Sequence, residues 1–472
     1  MRRSVIALLV LAALAAGVLA GAFAALQGQR DQVVLQTQTL AGDVSAAEGL
    51  RVRLPVRCAD QLAWESVFSP AHPEDLDTSF TFSPIPRSDD IPYYVPAPQQ
   101  VDMLSWSVYS YYNPQEQLKD TRWAPLVEDA ASNTGAGESH TQRMTLSDYM
   151  DVLPLEVSVS APGSPLEALD AQALDALFRD YFPIPLAEDF SLEITVVKDP
   201  DGAVDMVTIG AASESNTCWF RIESRSVQAG EDILFVFTDP TCYHTDTQET
   251  TLLDDSAIPG GWGLYRLSAS ASGQPRLETV FSLPEGGVAL DFWGSEDGSE
   301  LFLLSREEGM LHLRVFDAGA ALVDDVVLMD LAEEEVYWQV YRGEDFLVPM
   351  TYGSPSGYRF AVAAREAEGW ALAFTGDTAG QRALGLRGFT NLDSYWTALS
   401  MDYADGRLAV RDSLDGWSTD FYLAVYTADG LAYLGSYASS LSSAVSGTDG
   451  PFSFAPCQLP QYDPEPMVAW EG

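Results

Sequence analysis

From Val5 to Leu26 the chain runs for about 22 residues without a charged or polar side chain, directly behind Arg2 and Arg3. A helix of that length, at about 1.5 Å per residue, reaches roughly 33 Å and crosses a hydrocarbon core. Residues 1–27 therefore read as a transmembrane anchor or signal peptide. The paired arginines stay with the cytoplasm, and Arg30 is cancelled by Asp31. The expectation is a single-pass protein of the cell membrane, with its N-terminus inside and its C-terminal body outside. Small residues around Ala20, Ala22 and Ala24 keep a cleaved, secreted form in play. Secretory apolar cores of about 7 to 15 residues are shorter than this one, which favours the anchor. Either way the body is exported. No cysteine precedes Cys58, so the acylated cysteine of a bacterial lipoprotein is missing, and no second apolar span follows.

Export bounds what the body can bind. The chain carries 25 basic against 69 acidic residues, a net charge of −44. Such a field repels phosphate backbones and anionic lipid surfaces, which excludes nucleic acid and leaves the N-terminal helix as the membrane contact. The acidic runs Asp89-Asp90, Asp324-Asp325 and Glu333-Glu334-Glu335 are scattered along the chain and read as solvated surface. An apolar content of 47% with 11 Trp, 20 Tyr and 21 Phe is that of a folded chain.

The compartment permits disulfides among Cys58, Cys218, Cys242 and Cys457. Thr217 to Thr241 reads as two strands around a turn at Ala229-Gly230-Glu231. Folding about Gly230 sets Cys218 opposite Cys242, at a Cα separation of about 4.5 to 5.5 Å that suits a bridge. Cys58 and Cys457 would then join the two ends of the body. The absence of a C-x-x-C spacing argues against a cysteine metal site.

Residues 28–49 are polar and small, a spacer between membrane and body. From Leu50 onward, short runs of period two dominate. In Leu50 to Cys58, Val52, Leu54 and Val56 share one face and Arg51, Arg53 and Arg57 the other. Similar runs include Met103 to Tyr112, Leu155 to Ser160, Ser191 to Lys198, Leu311 to Asp317, Tyr358 to Arg365 and Phe421 to Thr427. One amphipathic helix interrupts them at 164–182. There Ser164-Pro165-Leu166-Glu167 forms a capping box, Leu166, Leu169, Ala173, Leu174, Leu177 and Phe178 make a stripe, and Pro183 is the stop.

Strands so numerous and short belong to a sandwich, a barrel or a propeller. Trp293 to Ser305 reads WGSEDGSELFLLS and Met401 to Val410 reads MDYADGRLAV, each an Asp-Gly turn leading into an apolar strand; GEDFLV at Gly343 to Val348 is a third, poorer copy. About 45 residues separate the first copy from the next, a plausible length for a four-stranded blade. The pattern resembles the aromatic, Asp-Gly turn, strand signature of WD40-like propeller repeats of the type seen beside the bacterial translocation protein TolB. That resemblance implies an all-β, propeller-like body over residues 50–472, with about six to eight blades, some divergent, and carries over no catalytic or binding residue. Residues before about 200 match it poorly, so 50–160 read either as divergent blades or as a separate small domain.

Motifs for chemistry are largely absent: no H-E-x-x-H, G-x-S-x-G, S-x-x-K or P-loop occurs. His72, His140, His244 and His312 are not at ligand spacing from one another and read as surface or packing residues. Asp199-Pro200-Asp201-Gly202 lacks the later ligands of a calcium loop and reads as a hairpin turn. Ser295 to Leu301 fails the sialidase Asp box because glycine follows the aspartate. Tyr93, Tyr94, Trp106, Tyr109, Tyr111, Tyr112 and Trp123 cluster between residues 93 and 123, and read as packing or as a platform for sugar rings. The expectation is a non-catalytic binding module for a cell-envelope protein or glycan, without cofactor or metal. The alternative is a polysaccharide-acting hydrolase or lyase with paired carboxylates on the same scaffold. A sensor arm is disfavoured by the short cytoplasmic side, Met1 to Ser4.

Overall fold

Strands make up most of the chain in the computed structural model, which describes residues 2–58, 62–82, 100–105, 109–112, 118, 121–153, 155–160, 163–186, 190–211, 218–244, 247–332, 335–353, 357–384, 399–413, 420–440, 457–458 and 466–471. Contacts divide it into two compact units, Met1–Tyr93 with Ala332–Gly472, and Tyr94–Leu331. This differs from the single body over 50–472 that the sequence pointed to. Of the residues singled out above, Asp89, Asp90, Tyr93, Tyr94, Trp106, Glu333 and Glu334 lie outside the described set.

The first unit opens with α1 (Arg2–Arg30). Its segment Val5–Arg30, which contains an 18-residue stretch of mean hydropathy 2.7, is long and apolar enough to cross a membrane. The expected spacer at 28–49 is corrected here. Its residues form β1 (Leu35–Gly42) and a turn of 3-10 helix at Val44–Ala47, capped by the Asp43 side chain on the Ser45 amide. β1 joins β24 (Ser400–Ala404), β25 (Arg407–Ser413), β26 (Phe421–Thr427) and β27 (Gly430–Ser439) in the order β1-β27-β26-β25-β24. The exposed glutamines and threonines of β1 are those of a sheet edge, and composition alone does not separate such a strand from a linker.

Two further sheets complete this unit. β20 (Val336–Arg342), β21 (Phe346–Gly353), β22 (Gly357–Glu366) and β23 (Gly369–Asp377) form a four-stranded meander, followed by the short α4 (Ala379–Ala383). β2 (Leu50–Cys58), β3 (Leu62–Ser69) and β4 (His72–Phe82) form the third, and β28 (Cys457–Gln458) and β29 (Val468–Trp470) both pair antiparallel with β2. The chain ends are thus exchanged: the first strand finishes the sheet of β24–β27, and the last two finish the sheet of β2–β4. The inward faces of these two sheets share one core, in which Val52, Leu54, Trp64 and Phe68 join Leu423, Val425, Tyr433 and Tyr437. Each such side chain removed from water contributes about 1.5 to 3 kcal/mol.

In the second unit β5 (Gln100–Ser105) pairs with β8 (Leu155–Ser160). β6 (Tyr109–Tyr112), β10 (Val204–Ala211), β9 (Ser191–Lys198) and β7 (Ser139–Thr145) form a sheet in that order. Met103 to Tyr112, read above as one strand, is therefore shared between two sheets. A helix that the sequence reading missed, α2 (Ala124–Ser132), buries Leu126, Val127 and Ala130 in a cluster with Leu192, Ile194 and Val196 of β9.

The largest sheet runs β15 (Pro275–Ser282), β14 (Gly263–Ala269), β12 (Asp232–His244), β16 (Val288–Gly294), β17 (Glu300–Glu307), β18 (Met310–Asp317), β19 (Leu322–Asp330), with β11 (Cys218–Ala229) and β13 (Glu249–Leu252) on β12. β12 and β16 meet at one parallel pair, Thr238 with Ala289, so β16–β19 is itself a four-stranded meander.

The helix expected at 164–182 is two pieces. Ser164 accepts from the Leu166 amide at 3.2 Å and opens a 3-10 turn at Pro165–Ala168; Asp170 then caps α3 (Ala171–Tyr181) by accepting from the Ala173 amide at 2.8 Å. Two capping residues within one short stretch restart the helix. The α3 stripe holds, with Leu174 and Phe178 buried and the Phe178 ring 5.7 Å from that of Phe235.

The three repeat copies fall on equivalent turns, joining β16 to β17, β20 to β21 and β24 to β25. Asp405 and Gly406 take φ of 50° and 74°, the left-handed pair of a tight hairpin. In the first copy only Gly298 does so, and the Asp297 carboxylate accepts from Ser299 and Ser295. Those bonds, the Ser299 amide's above all, draw its pKa down to about 2.

Candidate binding cleft

Alternation in β2, β3 and β4 sends Val52, Leu54, Trp64, Phe68 and Phe80 inward and leaves Arg51, Arg53, Glu65, Val67, Asp75, Asp77 and Ser79 on the outer face. Beneath that face the hydroxyls of Ser66 and Thr78, directly opposed across β3 and β4, hydrogen bond at 2.9 Å in a buried site. They lock the register that sets Glu65 beside Ser79 and Val67 beside Asp77.

The outer face is indented by a cleft of about 360 Å³ where Glu65, Asp75, Asp77 and Glu471 approach Arg51, Ser69 and Ser79 over Val67 and Phe68. Arg53 donates to Glu65 at 3.3 Å from the side. Four carboxylates against two arginines, Arg51 in the lining and Arg53 on Glu65, make a site rich in acceptors, suited to ammonium or guanidinium groups and to sugar hydroxyls. Among the described residues no group of three or more His, Cys, Asp or Glu is arranged to hold a metal ion. None of these acids stood out in the sequence. The alternation Trp64-Glu65-Ser66-Val67-Phe68 and the i, i+2 spacing of Asp75 and Asp77 were the available signal.

The second unit holds a different polar cluster, on β17, β18 and β19. Arg314 donates to both oxygens of Glu307, to Ser305 Oγ at 2.9 Å and to Asp325 at 3.2 Å, while His312 Nδ1 lies 3.2 Å from Asp325. The guanidinium sits 5.0 Å over the Phe281 ring. Burial alone would raise the Glu307 pKa, but hydrogen bonds from Arg314 and Ser305 outweigh it and the net direction is down. Burial likewise opposes the Arg314 charge, and Glu307 reverses that, so the pair is ionised. Serine, histidine and aspartate come together here without forming a nucleophile. Ser305 is fully buried and its hydroxyl donates a hydrogen bond to Glu307 at 2.6 Å, so the cluster is an internal ion pair. In the first unit Arg411, also fully buried, lies 4.5 Å over the Phe421 ring, and desolvation lowers its pKa to about 10.

The cysteine geometry departs from expectation at one place. β2 and β28 pair with Cys58 opposite Cys457 in the register. Cys218 faces His244, and Cys242 faces Phe220. The hairpin turns on Gly230-Glu231, and a bulge between Arg221 and Glu223 moves the register further, so the two cysteines are diagonal neighbours on one face. Asp199 is the hairpin turn that was expected, its carboxylate accepting from Asp201 and Ala203 between β9 and β10. His72 lies 3.7 Å from Glu74, His244 bonds Thr251 at 2.9 Å, and His140 is exposed. Trp123 is buried among the residues of α2 and β9.

No family model matches the sequence, and no curated protein matches it. Among solved structures, a Bacteroides fragilis protein designated a 6-phosphogluconolactonase aligns over 81% of this chain and 93% of its own at 8% identity and a TM-score of 0.26. The WD40 domain of SCAP from fission yeast aligns over 84% and 76% at 7% identity and a TM-score of 0.23. A Lactobacillus plantarum protein aligns over 52% and 76% at 14% identity and a TM-score of 0.24. Scores this low transfer neither fold nor activity.

Proposed function

We propose that the chain is a membrane-tethered, extracytoplasmic binding module on a β-propeller-like scaffold, and that it binds without catalysing a reaction. The propeller reading is supported by four-stranded meanders at β16–β19, β20–β23 and β24–β27, by the repeat copies at the same turn of each, and by the exchange of terminal strands. The tether is α1, with Arg2 and Arg3 on the cytoplasmic side. Disulfides Cys58–Cys457 and Cys218–Cys242 belong to this reading; the paired register at the first, the shared face at the second and the absence of a free thiol among the described cysteines favour them.

The observation that carries the function is the carboxylate cleft on β2–β4. Its partner is a cell-envelope protein offering lysine or arginine side chains. The test is a titration of the full chain in detergent with an oligolysine peptide. Saturable binding that weakens with salt and falls at least tenfold, about 1.4 kcal/mol, in the double variant Asp75→Asn, Asp77→Asn is expected. Binding indifferent to both salt and the substitutions would overturn the assignment. The same four carboxylates favour a second reading, a glycan-cleaving enzyme with an acid and a base in one cleft. Turnover on a polysaccharide panel that disappears in Glu65→Gln or Asp77→Asn would replace the first reading with the second.

A further inference from the structure

The end of α1 is built into the first unit. The helix is exposed from Val5 to Ala25, apart from one ring contact, and then Leu26 is only 5% exposed, inside the core that holds Val52, Trp64 and Phe68. One turn earlier the Phe23 ring lies 5.6 Å from Phe80 of β4, which itself packs on Trp64 at 5.2 Å. No slack follows. The amides of Asp31, Gln32 and Val33 bond back to the carbonyls of Gln27, Gln29 and Arg30, and Val34 exchanges bonds with Ser440 before β1 begins. Arg30 closes on Asp31 at 2.7 Å, so the junction carries a paired charge.

The apolar length that remains is short. Val5 to Ala22 is about 18 residues, or about 27 Å of helix, against a hydrocarbon core of about 30 Å. Nothing is left over for a stalk, and Phe23 comes at the depth where lipid tails give way to headgroups.

We infer that α1 is a fixed post, and that the part of the first unit around Phe23, Phe80 and Thr81 is seated on the headgroup layer of the bilayer. The inference rests on reading α1 as a retained anchor. With −44 on the chain, the seat favours a zwitterionic or neutral lipid surface over an anionic one.

The test uses the full chain in phosphatidylcholine vesicles, with bimane on Thr81→Cys and a fraction of the lipid carrying brominated acyl chains. Thr81 is exposed, so the label disturbs no core. Emission should fall by at least half in brominated vesicles, and recover when a flexible Gly-Ser segment is inserted between Ala22 and Phe23. A protein that resists carbonate extraction, keeps its first residues by intact mass and shows no quenching would overturn the seat while leaving the anchor standing. Loss of the leader by intact mass would overturn both. As a second measurement, a Phe23→Cys, Phe80→Cys pair should cross-link in vesicles under mild oxidation, and failure to do so counts against docking.

Discussion

Glu307 and Arg314 are 7% and 6% exposed at the side chain, and neither charge tolerates the loss of the other. Glu307→Gln leaves the buried Arg314 guanidinium with only the part-exposed Asp325 as counter-charge and is expected to destabilise the protein by about 3 kcal/mol in denaturant titration. Ser305→Ala removes one hydrogen bond and costs about 1 kcal/mol. The pH dependence has a definite sign. The folded pKa of Glu307 lies below its ordinary value of 4.5, so its contribution is full above that value and is lost as pH falls through the lower folded one. A wild-type stability profile that stays flat on acidification, or that matches Glu307→Gln throughout, contradicts this. Little of the network was legible beforehand. Asp324-Asp325 read as solvated surface, and only the pairing of β18 with β19 brings Asp325 across to Arg314.

Among the elements, β8 and β9 were legible to the residue, because Leu155–Ser160 and Ser191–Lys198 alternate cleanly. β1 and β7 were not, since their exposed faces are polar and their inward residues small or few. What makes β1 a strand is its partner. Gly42 has φ of 71°, and a Cβ there would stand 1.9 Å from the Ala432 carbonyl oxygen, so backbone approaches backbone where only glycine fits. Gly42→Ala is expected to lower stability by about 2 kcal/mol or more and to raise amide exchange along Gln36–Ala41. Exchange in that stretch as fast as in a free peptide, already in the wild type, would restore the spacer. The carboxylate cleft was hidden for a related reason: Glu471 is far along the chain from Glu65, Asp75 and Asp77, and the pairing of β29 with β2 brings it to their sheet.

Across the molecule, an N-terminal helix long and apolar enough to cross a membrane and the strand-rich class were readable from the apolar leader and the period-two runs, whereas the division into two units was not. That division joins residues 1–93 to 332–472, and the joining is done by terminal strands whose partners lie at the other end of the chain. A covalent bond at Cys58 and Cys457 would hold the same closure, and Cys58→Ser is expected to cost about 2 to 5 kcal/mol. Closure of the first unit through its terminal strands is therefore tested by peptide mass mapping of the full chain under non-reducing conditions. Cys58 linked to Cys457 and Cys218 linked to Cys242, with the N-terminal apolar peptide still attached, is the predicted result. Four free thiols, or a crossed link such as Cys58 to Cys218, would contradict it.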